Sequence, residues 1–365
     1  MNKKLKIGLV IAVIVIVLGL IIGSSLNSTK KNLGEIVIGA PISLTGTAAI
    51  DGLNFKNGLE FAKAKLAKEG VNVKIVYEDD QTIPTRTVSS IQKLVSVDKP
   101  VALVGPTWSF LADSGAKSIN DSKIVAFLPG DTSEIETVKT PYYFHGAPMN
   151  AAKDTYSTQW IKDNNLKNVA VIVEQATWGD VHAKVFTKAI KDAGVKLAYV
   201  EVIPYGADNA ALQAVATKIK TSGADGVLYT GFDKATAVIL NKMRDMKINT
   251  PILCATEIPV GLVHENIITV QDNVSLIIPT KSQAFAEEYK AVMGSYPGSY
   301  SDRAADGLMM IVKALQEKPE NVTLRDYMGS KDFSYNGYAG EYKFDQNGDI
   351  MKSEWRVVKL SELVK

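Results

Sequence analysis

This sequence of 365 residues is poor in the side chains that do covalent and metal chemistry. It has one cysteine, Cys254, and three histidines, His145, His182 and His264. A lone thiol excludes an internal disulfide. The histidines are scattered, and His264-Glu265 lacks the second histidine of a zinc-protease helix. No phosphate-binding loop ends in Gly-Lys-Ser/Thr, no G-x-G-x-x-G follows the first strand-like run, and no G-x-S-x-G elbow occurs. These absences speak against an enzyme, and no cofactor is expected. Asp345, Asn347 and Asp349 resemble a calcium loop. There, however, glycine falls at the fourth position instead of the sixth, and Glu354 comes two residues early. The segment reads as a hairpin turn, and no metal is expected.

An excess of either charge is also missing. Lys and Arg number 41 against 39 Asp and Glu, a net of +2. Five lysines lie in the first 33 residues, which hold no acid, so the remainder carries 36 basic and 39 acidic side chains, net −3. No global cationic field is left to bind nucleic acid. Hydrophobic residues at 46% and charged residues at 22% are ordinary for a globular chain, and the length suggests two lobes.

A long apolar run does occur, at the N-terminus. Lys3, Lys4 and Lys6 precede Ile7–Gly23, and no charge appears before Lys30. As a helix the run would span ~26 Å, near the lower limit for crossing a bilayer. Gly23-Ser24-Ser25 offers small residues for cleavage. An uncleaved anchor and a cleaved signal both fit. In either case the leading lysines favour an inside N-terminus and place the rest of the chain outside the cytoplasm.

From Glu35 onward, strand and helix patterns alternate. Short apolar runs at 35–40, 71–77, 101–104 and 124–128 are separated by helical faces such as Phe55, Leu59, Ala62 and Leu66. The alternation restarts with strands at 168–173, 226–229 and 251–253. Glycines at 70, 194 and 223 stop helices just ahead of strands. Helices are expected near 282–293 and 301–316, and a hairpin at 341–349 with an Asn-Gly turn. Two such runs imply two doubly wound parallel sheets whose ligands bind beyond the carboxyl ends of the strands.

Those strand ends carry suggestive residues: Ser43, Thr45 and Asp51; Thr107, Trp108 and Ser109; Gly130, Asp131 and Thr132; Trp178; Phe232; Glu257. A helix beginning at Ser109 would aim N–H groups and a dipole at a carboxylate, or Ser109 simply caps it. Glu257 either faces the cleft, where it could pair with an ammonium, or lies in solvent. Trp178 and Phe232 either cover a ligand or belong to the core.

The pieces Ile38–Gly46, Asp51-Gly52, Glu78-Asp79-Asp80, Gly105–Ser109, Trp178-Gly179 and Tyr338–Asp349 are each short, but occur in a specific order. Together they resemble the type I periplasmic binding proteins of the branched-chain amino acid (Leu/Ile/Val) class, receptors of ABC importers, over about residues 34–360. Members of the wider group are often tethered by a lipidated cysteine. None follows the apolar run here, so lipidation is excluded. The resemblance implies that Ser109 and Thr132 hold a ligand carboxylate. The Gly130 carbonyl, Thr132 and Glu257 would take the ammonium, and Asp51, Trp108, Trp178 and Phe232 would line the side-chain pocket. An aromatic residue often stands where this sequence has Asp51. A carboxylate is costly against a leucine side chain, so Asp51 either points away or meets a polar or cationic group.

The expected fold is therefore α/β: two doubly wound parallel-sheet lobes joined by three crossovers, preceded by an N-terminal membrane helix or signal in residues 1–33. The crossovers are expected near 143–148, 276–281 and 333–340. That puts residues 34–145 and 279–333 in lobe 1, and 146–278 and 334–365 in lobe 2. The expected function is an extracytoplasmic, monomeric solute-binding protein that hands an amino acid to ABC permease and ATPase subunits. A ligand-sensing receptor acting through a partner protein is the alternative.

Overall fold

The computed structural model describes residues 33–130, 140–147, 153–256, 258–269, 271–279, 284–351 and 355–362. The N-terminal apolar run, Thr132 and Glu257 lie outside the described residues. Among those that are described, no helix is long and apolar enough to cross a membrane.

The β-branched runs of the first half become strands alternating with helices. They are β1 (Glu35–Ile42), α1 (Ala49–Lys68), β2 (Asn72–Asp79), α2 (Pro84–Lys93), β3 (Ala102–Val104), α3 (Ser109–Ser122), β4 (Ala126–Leu128) and β5 (Tyr143–His145). Proline opens α2, where its missing N–H costs nothing. The five strands form one parallel sheet in the order β2-β1-β3-β4-β5. Every residue of β3 and β4 is buried, as a parallel sheet covered on both faces requires. Ile91, Leu94, Ala112, Ala116 and Ile119 pack one layer of helices on it.

The second half repeats the scheme with α4 (Lys153–Asp163), β6 (Asn168–Glu174), α5 (Thr177–Ala193), β7 (Lys196–Ile203), α6 (Asn209–Thr221), β8 (Gly226–Thr230), α7 (Asp233–Asp245), β9 (Ile252–Cys254), α8 (Val260–His264) and β10 (Val274–Pro279). Helix α5 ends at Gly194 in the left-handed conformation, where a residue without Cβ avoids the steric cost. The order β10-β9-β8-β6-β7 is parallel throughout and mirrors the first sheet. Two apolar clusters cover its faces, one around Val227, Tyr229, Ile239 and Leu276, the other around Val171, Phe186, Leu228 and Ile277. Cys254 is buried there, and burial pushes its thiol pKa up.

The chain then returns to the first sheet. Helices α9 (Phe285–Met293) and α10 (Ser301–Glu317) pack on α1: Phe61 meets Phe285 and Tyr289, and Ser301 Oγ donates to Asn54 O at 3.1 Å. After α11 (Leu324–Met328), β11 (Tyr335–Asn336) pairs with β12 (Glu341–Tyr342). The Asn347-Gly348 turn closes only a single antiparallel bridge, Phe344 to Ile350, so the expected hairpin is shorter and β12 takes a different partner. This stretch stays with the first half. Tyr342 packs on Phe127 and Phe344 on Phe144, while the Asp306 carboxylate binds the backbone N–H groups of Tyr338 and Ala339. Only β13 (Trp355–Lys359) joins the second sheet, antiparallel to β10. The final passage between halves thus falls after Met351, later than the 333/334 boundary expected, because aromatic anchors hold 335–350 on the first sheet.

Candidate functional site

Each parallel sheet has one place where the strand order reverses, between β1 and β3 in the first and between β6 and β8 in the second. Loops leaving neighbouring strands diverge there and open a crevice. A cavity of about 500 Å³ lies at these two points and takes its walls from both halves.

The first wall depends on the acids ending β2. Asp79 Oδ1 accepts from the N–H groups of Leu44, Thr45 and Gln81, and Asp80 accepts from Ser43 Oγ at 2.6 Å and Thr87 Oγ1 at 3.0 Å. These bonds fix the loop after β1. Gly52 then lets α1 lie directly on that loop, since a Cβ there would meet Ser43 O at 1.8 Å. The first turn of α1 accordingly presents Asp51 to the cavity.

Beside it, Ser43 N donates to Thr107 Oγ1 at 2.9 Å, tying the β1 and β3 loops together. Helix α3 opens next, with extended Trp108 as its N-cap residue and no side-chain cap bond. Ser109 is its first helical residue and lines the cavity, and its hydroxyl has no partner among the described residues. The capping role is therefore not taken by Ser109. Leu111 N and Ala112 N donate to Trp108 O, which leaves the Ser109 and Phe110 N–H groups without a partner in their own helix; the dipole is positive there, which suits an anion. Trp108 Nε1 donates to Asp51 Oδ2 at 2.8 Å.

The second wall is built on Glu174, the last residue of β6. Its Oε2 accepts from Phe232 N at 2.7 Å and so sets the β8 loop. Burial pushes the Glu174 pKa above the usual range, although the hydrogen bonds it accepts and Lys234 oppose the shift. Phe232 stacks on Trp108 with ring centres 5.3 Å apart, and Trp178 and Tyr205 meet Phe232 edge to face. Tyr205 also touches Trp108, and its hydroxyl donates to Thr47 O at 3.1 Å. The halves therefore touch through rings and through hydrogen bonds, Tyr205 Oη to Thr47 O and Ser299 Oγ to Asp233. Burial pushes the pKa of Asp51 to about 6, against the Trp108 hydrogen bond. Burial and the neighbouring Asp51 charge push Asp233 to about 7.

Such a cleft, shared by two switch points, has counterparts among known proteins. The profile of the periplasmic binding protein family matches residues 35–362. The chain belongs to this family. One relative, called an amino acid binding protein, comes from Pseudomonas aeruginosa; it is 23% identical over 360 residues, covering 93% of this chain and 94% of the other. The fold of this periplasmic binding protein is similar to that of the branched-chain amino acid transporter substrate binding protein LivJ from Streptococcus pneumoniae, solved with isoleucine. That match has a TM-score of 0.71 and 21% identity and covers 89% of this chain and 100% of LivJ. A solute binding protein of an ABC transporter from Rhodopseudomonas palustris, solved with 3,4-dihydroxybenzoic acid, matches with TM-score 0.76 and 18% identity, covering 89% and 93%.

Of the residues singled out in the sequence, Asp51, Trp108, Ser109, Gly130, Trp178 and Phe232 are brought together around the cavity. Thr132 and Glu257 fall outside the described residues. The sequence reading passed over Glu174, Tyr205 and Asp233. Each lies at or just beyond the carboxyl end of a strand or at the start of the helix after it, so the strand-end rule could have found them. Tyr205 was hidden because β7 is an edge strand with Val200 and Val202 exposed, which blurs its apolar pattern. Tyr205→Phe removes the bond to Thr47. At about 0.5–1.5 kcal/mol for such a bond, ligand affinity is expected to fall roughly threefold to tenfold. Titration calorimetry measures this, and the melting temperature of the ligand-free protein should barely move.

Proposed function

We propose that this protein is an extracytoplasmic solute-binding protein that captures an amino acid between its two sheets and delivers it to an ABC permease, without catalysis. The observation that carries this reading is the cavity walled from both halves at both strand-order reversals. A ligand there touches both halves at once, so binding favours the closed arrangement and release needs it to open. The names of the relatives fit this role. In this reading the α3 N-terminus, Ser109 and Thr132 hold the carboxylate, while the Gly130 carbonyl, Thr132 and Glu257 take the ammonium. Asp51, Trp108, Trp178 and Phe232 surround the side chain. The protein acts as a monomer of two lobes, held at the membrane by residues 7–23 or released after their cleavage.

Isothermal titration against the twenty amino acids, with benzoate and 3,4-dihydroxybenzoate as rivals, tests the reading. At least one amino acid should bind. Binding by the aromatic acids alone would overturn the assignment. Glu257→Ala is expected to weaken that amino acid at least about tenfold, through loss of the charge pair proposed here. It should leave a des-amino analogue unaffected, and an equal loss for both would remove Glu257 from the ammonium site.

A further inference from the structure

Besides Glu174, two acids line the cavity with no ion pair to a cation among the described residues. Asp51 enters from α1 and Asp233 from α7, on opposite halves. Among the described residues, Asp51 accepts one hydrogen bond, from Trp108 Nε1, and Asp233 is bonded by Ser299 Oγ alone, 3.4 Å from each of its oxygens. They share one cavity, and the stacked rings of Trp108 and Phe232 link them. The cavity's own cations are engaged elsewhere. Lys153 donates to Ala255 O and lies over the Trp355 ring at 4.6 Å, Lys234 donates to Ala207 O, and the Arg303 guanidinium lies over Tyr300 at 5.3 Å.

The remaining wall between the two acids is aromatic. Trp108 bonds to Asp51, stacks on Phe232 and meets the edge of Tyr205, and Phe232 immediately precedes Asp233. Carboxylates with aromatic rings at their side attract an ammonium or guanidinium group twice over, by charge and by the ring quadrupole. An aliphatic group placed there would leave both carboxylates desolvated and unpaired.

We propose that the side-chain end of the cavity receives a positive charge, so that the ligand is a basic amino acid whose side-chain cation lies between Asp51 and Asp233 beside the Trp108 ring. This rests on the amino-acid reading above and names the class within it. The aromatic wall then supports a cation, and Asp51, held by Trp108, becomes the residue that selects the ligand.

Full-length protein in detergent is titrated with L-lysine, L-arginine and L-leucine, and with cadaverine and agmatine, which carry the cation but no carboxylate. Lysine or arginine should bind about thirtyfold more tightly than leucine, as expected for a buried charge pair. Asp51→Asn and Asp233→Asn, each checked for wild-type circular dichroism, should each remove most of that preference. Leucine binding as well as or better than lysine and arginine would overturn the proposal and leave the amino-acid reading standing. Binding of the amines but of no amino acid would keep the cation site and overturn that reading. A preference unchanged in both variants would show that neither acid reads the ligand side chain and would also overturn the proposal.

Discussion

Trp108→Ala is expected to lower ligand affinity about a hundredfold while changing the melting temperature of the ligand-free protein little. The indole makes two contacts, one across the cleft and one within its own half. Its ring stacks on Phe232 of the other half, and its N–H bonds the Asp51 carboxylate. An aromatic pair contributes ~0.5–1.5 kcal/mol beyond its buried area, and a hydrogen bond to a charged group about 1.5–3 kcal/mol. Together they come to about 3 kcal/mol, or two factors of ten in an equilibrium constant. The stack exists only when the halves are together, so its loss acts on closure and reduces apparent affinity by the fraction of closed molecules lost. Trp108→Phe keeps a ring against Phe232 but no donor, and its loss should be roughly thirtyfold, for about 2 kcal/mol. Titration calorimetry on the three proteins gives the ratios. If alanine and phenylalanine weaken binding equally, the stack contributes nothing to closure. If Trp108→Ala unfolds at a much lower temperature without ligand, the residue is part of the core rather than of the clamp.

The repeated α/β pattern was legible because it is local. The runs Ile36–Ile38, Val169–Val173 and Gly226–Thr230 are apolar on both faces, as strands covered by helices must be. Site positions were legible for the same reason: ligand-facing residues follow strand ends, and strand ends can be read. The bonds that position those residues are of another kind. Asp79 reaches Leu44 and Thr45 from 35 and 34 residues away, and Glu174 reaches Phe232 from 58. Nothing in the local sequence marks such partners. The same holds for the return of the chain. Tyr342 and Phe344 look like hairpin residues in isolation, and only Phe127 and Phe144, some two hundred residues earlier in the chain, decide which half they join. The pairing of Asp51 with Trp108 was equally invisible, although each residue had been singled out separately. Proximity across the β1/β3 reversal supplies what spacing along the chain cannot.

Asp306→Ala is expected to lower the melting temperature by about 5 °C, since the shift of ~2–4 °C per kcal/mol at about 150–250 residues shrinks in a longer chain. Asp306 is fully buried in α10. It accepts from Tyr338 N and Ala339 N at 2.7 Å each and from Tyr342 Oη at 3.2 Å. Gly337 runs against it so closely that a Cβ would fall 2.4 Å from its carboxyl carbon. Removing the acceptor leaves buried donors unsatisfied, at about 1–3 kcal/mol each, and frees the segment that leads to β13. The loss should depend on pH. Burial raises the Asp306 pKa from 3.8 to about 7, against the backbone bonds from Ala339 and Tyr338. Its folded pKa lies above its unfolded value, so its stabilising contribution is fully present below pH 3.8 and is lost as pH rises through about 7. The gap between wild type and Asp306→Ala should therefore be wider at acidic than at alkaline pH. Asp306→Asn keeps the shape and one acceptor and should fall between the two proteins. Differential scanning calorimetry at several pH values measures the gap, and limited proteolysis should cut the variant first within 335–350. A gap that widens with pH would mean that the ionised carboxylate, not the neutral acid, is what holds this segment to the first sheet.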